Sequence, residues 1–276
     1  MYFPRVLIEG DSLKVADPPT SFGEPHFRSW LGENFDFMGV CDLVLLDAPN
    51  FANGLGLHID LRTTARYEYS FIESAVLLIG NETFEIDSYG QYSVGVIDHA
   101  DLNDKSSALA GFPIVHSKTD NKIQAFDVIL SPTLNITFGS FKDLVSVKFK
   151  GDTSILGAST GIMGSSLTGS MLSRNGAIMD MSNEDAINAF GQEWQVRADE
   201  PMLFRTSRSP QASKGEKCVL PGATSKQSLR RRLKESKITP SEAEAACAHL
   251  KGTTKSACVY DVLAVGDLDL AQSGAY

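Results

Sequence analysis

The chain has 276 residues, of which 42% are apolar and 21% charged, so it can form one large domain, or a domain plus an appendage, with a sizeable core. Its formal net charge of −9 disfavours general nucleic-acid binding. The longest apolar runs, such as residues 75–80, are far shorter than the ~20 residues that cross a bilayer, so we predict no transmembrane segment.

The N-terminal residues 1–11 lack the apolar stretch of about 7–15 residues that a signal peptide requires. Two interpretations follow from this. Either the protein stays inside the cell, or the chain is a piece of a longer secreted protein with flanking domains.

Residues 35–149 form a series of short segments that are apolar or that alternate between apolar and polar residues. Alternation is typical of a half-buried strand, and Gly80-Asn81 between two such segments predicts a hairpin turn. Because the segments recur about every 8–12 residues without a helical pattern between them, they favour a mainly β, antiparallel sandwich or barrel. The predicted strands are residues 57–62, 70–79, 83–87, 122–130, 134–138 and 144–149.

The composition changes after these strands. Residues 157–176 are rich in Gly, Ser and Thr and predict a long loop. Residues 190–196 are predicted as a closing strand, and residues 200–225 as a linker.

The C-terminal part is predicted to be helical. Thr239-Pro240-Ser241-Glu242 is a helix start, because Thr is a good cap, Pro suits the first position and Glu can bond back to the cap. This helix should run to about Leu250, and residues 256–270 could form another.

A basic run, residues 225–237, precedes the first of these helices and contains Arg230-Arg231-Arg232. We interpret it as a solvated helix face. A processing site or a site that binds an acidic polymer are the alternatives.

Residues 22–46 carry the most specific pattern in the chain. They contain Gly23-Glu24-Pro25-His26 and then Gly39-Val40-Cys41 before an apolar run. This order and spacing resemble the opening of a von Willebrand factor type D domain. Residues 74–86 and 190–196 are similar to the central hairpin and to the closing Phe-Gly-x-x-Trp-x-Val of that family.

The resemblance implies a β-sandwich domain over residues 22–218, after an N-terminal lead-in at residues 1–21. The helical segment that follows, residues 219–276, is similar at its cysteines to the end of the eight-cysteine module that often follows such domains. The implied function is a non-catalytic structural or adhesive module of an extracellular or cell-surface protein. Its implied partners are extracellular proteins or glycans.

The four cysteines include no Cys-x-x-Cys pair, which disfavours a zinc or thioredoxin-like site. By analogy with the family, Cys41 pairs with Cys218. Cys247 and Cys258 lie eleven residues apart and could pair locally. Disulfide-linked polymers are not expected, because family members that polymerise use Cys-x-x-Cys. The alternative is four reduced, buried thiols in a cytosolic protein.

The calcium-binding loop of the family is altered in this chain. Residues 163–169 replace its Cys-Gly-Asn-x-Asn-Gly motif, and Leu31 replaces an Asp. Because calcium takes about six to eight oxygen ligands, we predict no family-type calcium site and no other cofactor. A nearby acidic cluster could offer a substitute, although a solvated acidic turn is favoured. This cluster is Asp180, Asn183, Glu184 and Asp185.

Some family members cleave themselves at the Asp-Pro bond of Gly-Asp-Pro-His, where the Asp carboxylate attacks its own carbonyl. Glu24 stands at that position here, and its extra methylene changes the ring that must close. Self-cleavage at Glu24-Pro25 is therefore disfavoured and is kept as an alternative. His26 would assist the reaction, or else it packs at the start of a strand.

Motifs of common enzymes, such as Gly-x-Ser-x-Gly and His-Glu-x-x-His, are absent, and the five histidines show no metal-ligand spacing. We therefore predict that the chain is not an enzyme. A carbohydrate-active enzyme on a β-sandwich is the second alternative, because its carboxylate pair would meet only in space. Asn81 and Asn135 begin N-glycosylation sequons beside predicted turns, and glycans are expected there if the chain is secreted.

Overall fold

The computed structural model describes residues 19–22, 25–66, 69–98, 107–118, 123–205, 218–219 and 238–272. This part of the chain is mainly β, with two antiparallel sheets around one core and a small helical segment at the C-terminal end. The predicted mainly β, antiparallel sandwich with a helical C-terminal appendage is therefore confirmed.

The strands fall into two sheets. In chain order they are β1 (Thr20–Phe22), β2 (His26–Arg28), β3 (Asn34–Asp36), β4 (Asp42–Ala48), β5 (Leu57–Arg66), β6 (Tyr69–Ile79), β7 (Glu82–Asp87), β8 (Tyr92–Val94), β9 (Ile97–Asp98), β10 (Ala108–Leu109), β11 (Phe112–Lys118), β12 (Ile123–Ser131), β13 (Leu134–Phe141) and β14 (Leu144–Gly151). The larger sheet has eight strands in the order β10-β11-β12-β13-β14-β1-β2-β3. The smaller sheet has six in the order β4-β5-β6-β7-β8-β9.

Aromatic side chains from the facing sheets form the centre of the core. The ring of Phe84, on β7, lies 5.3 Å from the rings of both Phe126 and Phe138, on β12 and β13. All three side chains are fully buried. Burial of each contributes about 1.5–3 kcal/mol, so this contact holds the sheets together.

The hairpin predicted at Gly80-Asn81 is present between β6 and β7. Ile79 pairs with Glu82 across a two-residue turn, and Gly80 has a φ of +59°. This left-handed conformation suits the turns that join antiparallel strands most tightly, which explains the glycine.

The described helices are α1 (Phe51–Gly54), α2 (Glu184–Glu193), α3 (Pro240–Ala246) and α4 (Gly252–Val265), with short 3-10 turns at Thr153–Leu156 and Leu268–Gln272. Helix α3 begins with the predicted capping box, in which Glu242 accepts from the backbone N–H of Thr239 over 2.7 Å. It ends at Ala246, before the expected Leu250. Helix α4 begins before the expected residue 256 and ends where Gly266 turns left-handed. None of the described helices is long and apolar enough to span a bilayer.

The prediction of a strand at residues 190–196 is wrong in its first half. Asn183 accepts a hydrogen bond from the backbone N–H of Ala186 over 3.0 Å and so starts helix α2, which covers these residues as far as Glu193. Only the residues after the helix run along β4, where Val196 donates to the carbonyl of Asp42 over 2.8 Å. The upstream cap outweighs the strand-like composition.

The predicted loop at residues 157–176 is irregular but fixed to the edge of β4. Thr160 exchanges two backbone hydrogen bonds with Asp47, at 2.7 and 3.0 Å. A Cβ atom on Gly161 would lie 2.3 Å from the carbonyl oxygen of Leu45, so only glycine permits this approach.

The C-terminal helices pack on one end of the sandwich. Their buried residues, including Val262 and Leu270, form a second cluster with Phe71, Phe141 and Leu144 of the strands. The appendage is therefore attached to the sandwich by an apolar contact of its own.

Candidate functional site

The structure contains the disulfide bond that the resemblance implies and the local one that the spacing allows. Cys41 bonds to Cys218, 177 residues away, with a Cα–Cα distance of 5.0 Å. Both cysteines are buried, and Val40 donates to the carbonyl of Val219 beside the bond over 2.9 Å. Cys247 bonds to Cys258 and joins helix α3 to helix α4.

His26 of the family motif lies at the start of β2 between two carboxylates. Its Nδ1 is 2.6 Å from Oδ1 of Asp36, and its Nε2 is 3.0 Å from Oδ1 of Asp261 on helix α4. Burial lowers the pKa of His26, but Asp261 and Asp36 outweigh it and hold the pKa well above the usual 6.5. The ring is therefore a cation that links the sandwich to the appendage. Gly23 and Glu24 lie outside the described residues.

Pro25 precedes this histidine, and its carbonyl accepts from the backbone N–H of Phe37 over 3.2 Å. It thus belongs to the turn that leads into β2. The basic cluster Arg230-Arg231-Arg232 also lies outside the described part of the chain.

Two of the residues weighed for calcium serve a turn and a helix cap, and Glu184 and Asp185 lie in the first turn of helix α2. Asp180 accepts from the backbone N–H and hydroxyl of Ser182, and Asn183 caps helix α2. Leu31, at the position of the family's Asp, lies against Gly169, where an added Cβ would come within 2.1 Å of its Cγ. Across the described ranges, no group of three or more His, Cys, Asp or Glu side chains could hold a metal ion.

The two sequon asparagines differ in their surroundings. Asn81 is exposed in the turn between β6 and β7. Asn135 is half-buried in β13, and its amide donates to Oδ1 of Asp127 over 3.2 Å. The hydroxyl of Thr137, in the same sequon, donates to Asp127 as well. The side chains of the second sequon are therefore hydrogen-bonded within the sheet.

A feature that the sequence did not reveal is a cavity of about 280 Å³ on the outer face of the smaller sheet. Its polar residues lie mainly on β4 and β5, and its apolar wall comes from the β4–β5 connection, β6 and the segment after helix α2. The polar residues are Asp47, His58, Asp60 and Glu200, and the apolar wall includes Pro49, Leu55, Leu78, Val196, Pro201 and Leu203.

His58 lies between two carboxylates of this cavity. Its Nδ1 is 3.2 Å from Oδ1 of Asp47, and its Nε2 is 2.8 Å from Oδ1 of Asp60. Burial lowers the pKa of His58, but its hydrogen bonds to Asp47 and Asp60 and their charges raise it to about 10. At neutral pH the imidazolium therefore donates to both carboxylates. Burial raises the pKa of Asp60, and His58 lowers it in part.

A β-bulge brings Asp47 to the same face as His58. Val44 pairs with Asp60, but after a shift of register at Leu45 it is Asp47 that pairs with His58. Because side chains alternate between faces of a strand, the extra residue re-aims Asp47 toward the cavity.

The segment after helix α2 covers the cavity and is fixed by charged contacts. Arg174 binds Glu200 through both terminal nitrogens, with Nη2 3.2 Å from Oε2, and donates from Nη2 to the carbonyl of Gln195 over 2.8 Å. Nearby, Arg62 forms a two-bond pair with Asp42 at 2.9 Å and lies 4.2 Å from the ring centre of Phe204. These contacts hold in place the segment whose residues Val196, Glu200 and Leu203 line the cavity.

One signal in the sequence could have indicated this site. His58 and Asp60 are two residues apart in an alternating strand, so they must share a face, and the intervening Ile59 is fully buried in the core. The contribution of Asp47 depends on the bulge, which the sequence does not show.

No protein-family model matches the chain, and no curated protein matches it. The relation to von Willebrand factor type D domains therefore stays a prediction.

Proposed function

We propose that the chain is a non-catalytic β-sandwich module of a secreted or cell-surface protein, with a structural or adhesive role. Its partners would be extracellular proteins or glycans, and its family the von Willebrand factor type D domains. The observation that carries the proposal is the buried bond between Cys41 and Cys218, which links positions 177 residues apart. Such bonds persist in oxidising compartments and are rare in the reducing cytosol.

The described contacts of His26 support a structural role for the motif rather than self-cleavage. Both of its ring nitrogens are within hydrogen-bonding distance of carboxylates, those of Asp36 and Asp261, so the ring is held as an ion-pair link. Mass spectrometry of the purified protein after mild acid treatment should therefore give the intact chain. Fragments cut at Glu24-Pro25 would overturn this part of the proposal.

The carboxylates of the cavity also favour a non-catalytic role. A glycosidase needs one carboxylic acid and one carboxylate facing each other across the sugar. Here His58 lies between Asp47 and Asp60 and binds both. We therefore expect no release of sugar from polysaccharides or aryl glycosides, and hydrolysis that Asp60→Asn abolishes would contradict the proposal.

Two assays test the proposed location and role. Cells that express the tagged protein from its own gene are treated with a membrane-impermeant biotin reagent, and the tagged protein should be labelled or found in the medium. A protein confined to the cytosol would refute the location. In the second assay, cells should attach to surfaces coated with the native chain but not with the reduced chain. Attachment no greater than to albumin would refute adhesion.

A further inference from the structure

The cavity beside His58 has the size and walls for a small ligand with an aliphatic part. Its volume of about 280 Å³ lies near the lower end of the ~300–1,000 Å³ usual for ligand pockets. Leu55, Leu78, Val196 and Leu203 all contribute to its apolar wall. A slender apolar stem would pack against this wall.

The polar side of the cavity carries an excess of negative charge. Asp47 and Asp60 supply two carboxylates for the single imidazolium of His58. The remaining carboxylate, that of Glu200, is paired with Arg174. A cation would therefore balance the charge of the Asp-His-Asp group.

Asp47 is the carboxylate that a ligand can reach. Its side chain is 44% exposed, whereas that of Asp60 is 2% exposed. Asp47 accepts from His58 through Oδ1, and across the part of the chain that the structure describes its Oδ2 has no hydrogen-bonding partner. That oxygen is available to a donor at the mouth of the cavity.

From this geometry we infer that the cavity binds a primary ammonium group on an aliphatic stem, either a free alkylamine or a lysine side chain of a partner. The stem packs against the apolar wall, and the ammonium group donates to Oδ2 of Asp47. An anion does not fit, because both N–H groups of His58 already donate to carboxylates. This inference holds whether or not the protein is adhesive.

The test uses the full chain, uniformly labelled with ¹⁵N, and n-pentylamine at neutral pH. Amide signals of residues around His58 and Leu203 should shift and saturate at a Kd of about 0.1–10 mM, as expected for a ligand of this size. Pentanol and pentanoate match the stem without the positive charge and should bind at least about three- to five-fold more weakly than pentylamine. If either binds as tightly as pentylamine, the inference is refuted.

Two variants test the roles of Asp47 and Leu55, whose side chains are partly exposed, without disturbing the core. Asp47→Asn removes the charge and should raise the Kd for pentylamine about three- to five-fold, the upper part of the range for a partly exposed ion pair. Leu55→Trp fills the cavity from a side chain that is 44% exposed and should abolish the shifts. Asp185→Asn, at an exposed position of helix α2, removes the same charge elsewhere and should leave the Kd unchanged.

The outcomes separate the two sources of the ammonium group. A blocked tripeptide with a central lysine should bind if the ligand is a side chain of a partner protein. Its norleucine analogue, which lacks the ammonium group, is the control and should bind more weakly. Binding of pentylamine alone would assign the cavity to free amines. No saturable shift with either probe, or an unchanged Kd in Asp47→Asn with a folded spectrum, would overturn the inference.

Discussion

Removal of the bond between Cys41 and Cys218 should lower the free energy of unfolding by about 5 kcal/mol. The bond joins residues 177 apart, and a chain-entropy treatment of a loop of this length gives about 5 kcal/mol. Because domains are stable by only ~5–15 kcal/mol, the variant Cys41→Ala/Cys218→Ala should be close to the limit of folding. Urea titration followed by near-ultraviolet circular dichroism measures the loss.

The local bond between Cys247 and Cys258 provides the matched control. It spans 11 residues, for which the same treatment gives about 3 kcal/mol. Removal of the long-range bond should therefore lower the free energy of unfolding by about 2 kcal/mol more than removal of the local bond. A loss below about 1 kcal/mol for Cys41→Ala/Cys218→Ala, or a greater loss for the local pair, would refute this reasoning.

Three other changes have expected outcomes. Gly191→Ala should destabilise the fold by about 1–3 kcal/mol, because its Cβ would lie 2.2 Å from the buried ring of Phe37. Helix propensity alone would stabilise the variant by about 1 kcal/mol. An increase in the free energy of unfolding, measured by chemical denaturation, would therefore contradict the packing. The pKa of His58 is raised from 6.5 to about 10. Protonated His58 therefore contributes fully to the stability of the fold below pH 6.5, and this contribution is lost as the pH rises to 10. His58→Gln should therefore cost about 3 kcal/mol near pH 6 and progressively less toward pH 10 in urea titrations, and a loss independent of pH would count against the ion pair. In secreted protein, mass spectrometry should find a glycan at Asn81, because this residue is exposed. It should find little or none at Asn135, whose side chain is hydrogen-bonded within the sheet. The reverse pattern would contradict these placements.

Local patterns in the sequence were sufficient where the structure depends on neighbouring residues. The hairpin at Gly80-Asn81 follows from a turn that only a few residue types favour. The start of helix α3 follows from Thr239 and Glu242, which satisfy the same capping bonds in any protein. These features need no knowledge of the rest of the fold.

The sequence was insufficient where distant residues decide the structure. Residues 190–193 are helical because Asn183 caps the chain upstream and because Phe190 packs in the core. The cavity depends on the bulge at Leu45, which brings Asp47 opposite His58. Alternation along one strand predicts which residues share a face, but it cannot show where the register shifts.

The most direct test of the proposed extracellular module is peptide mapping under non-reducing conditions of the protein isolated from its own cells. Free thiols are first blocked at low pH, so that the bonds cannot rearrange. We predict two linked peptide pairs, Cys41 with Cys218 and Cys247 with Cys258, and no blocked cysteine. Four blocked cysteines would contradict the proposal and would indicate a reduced protein of the cytosol.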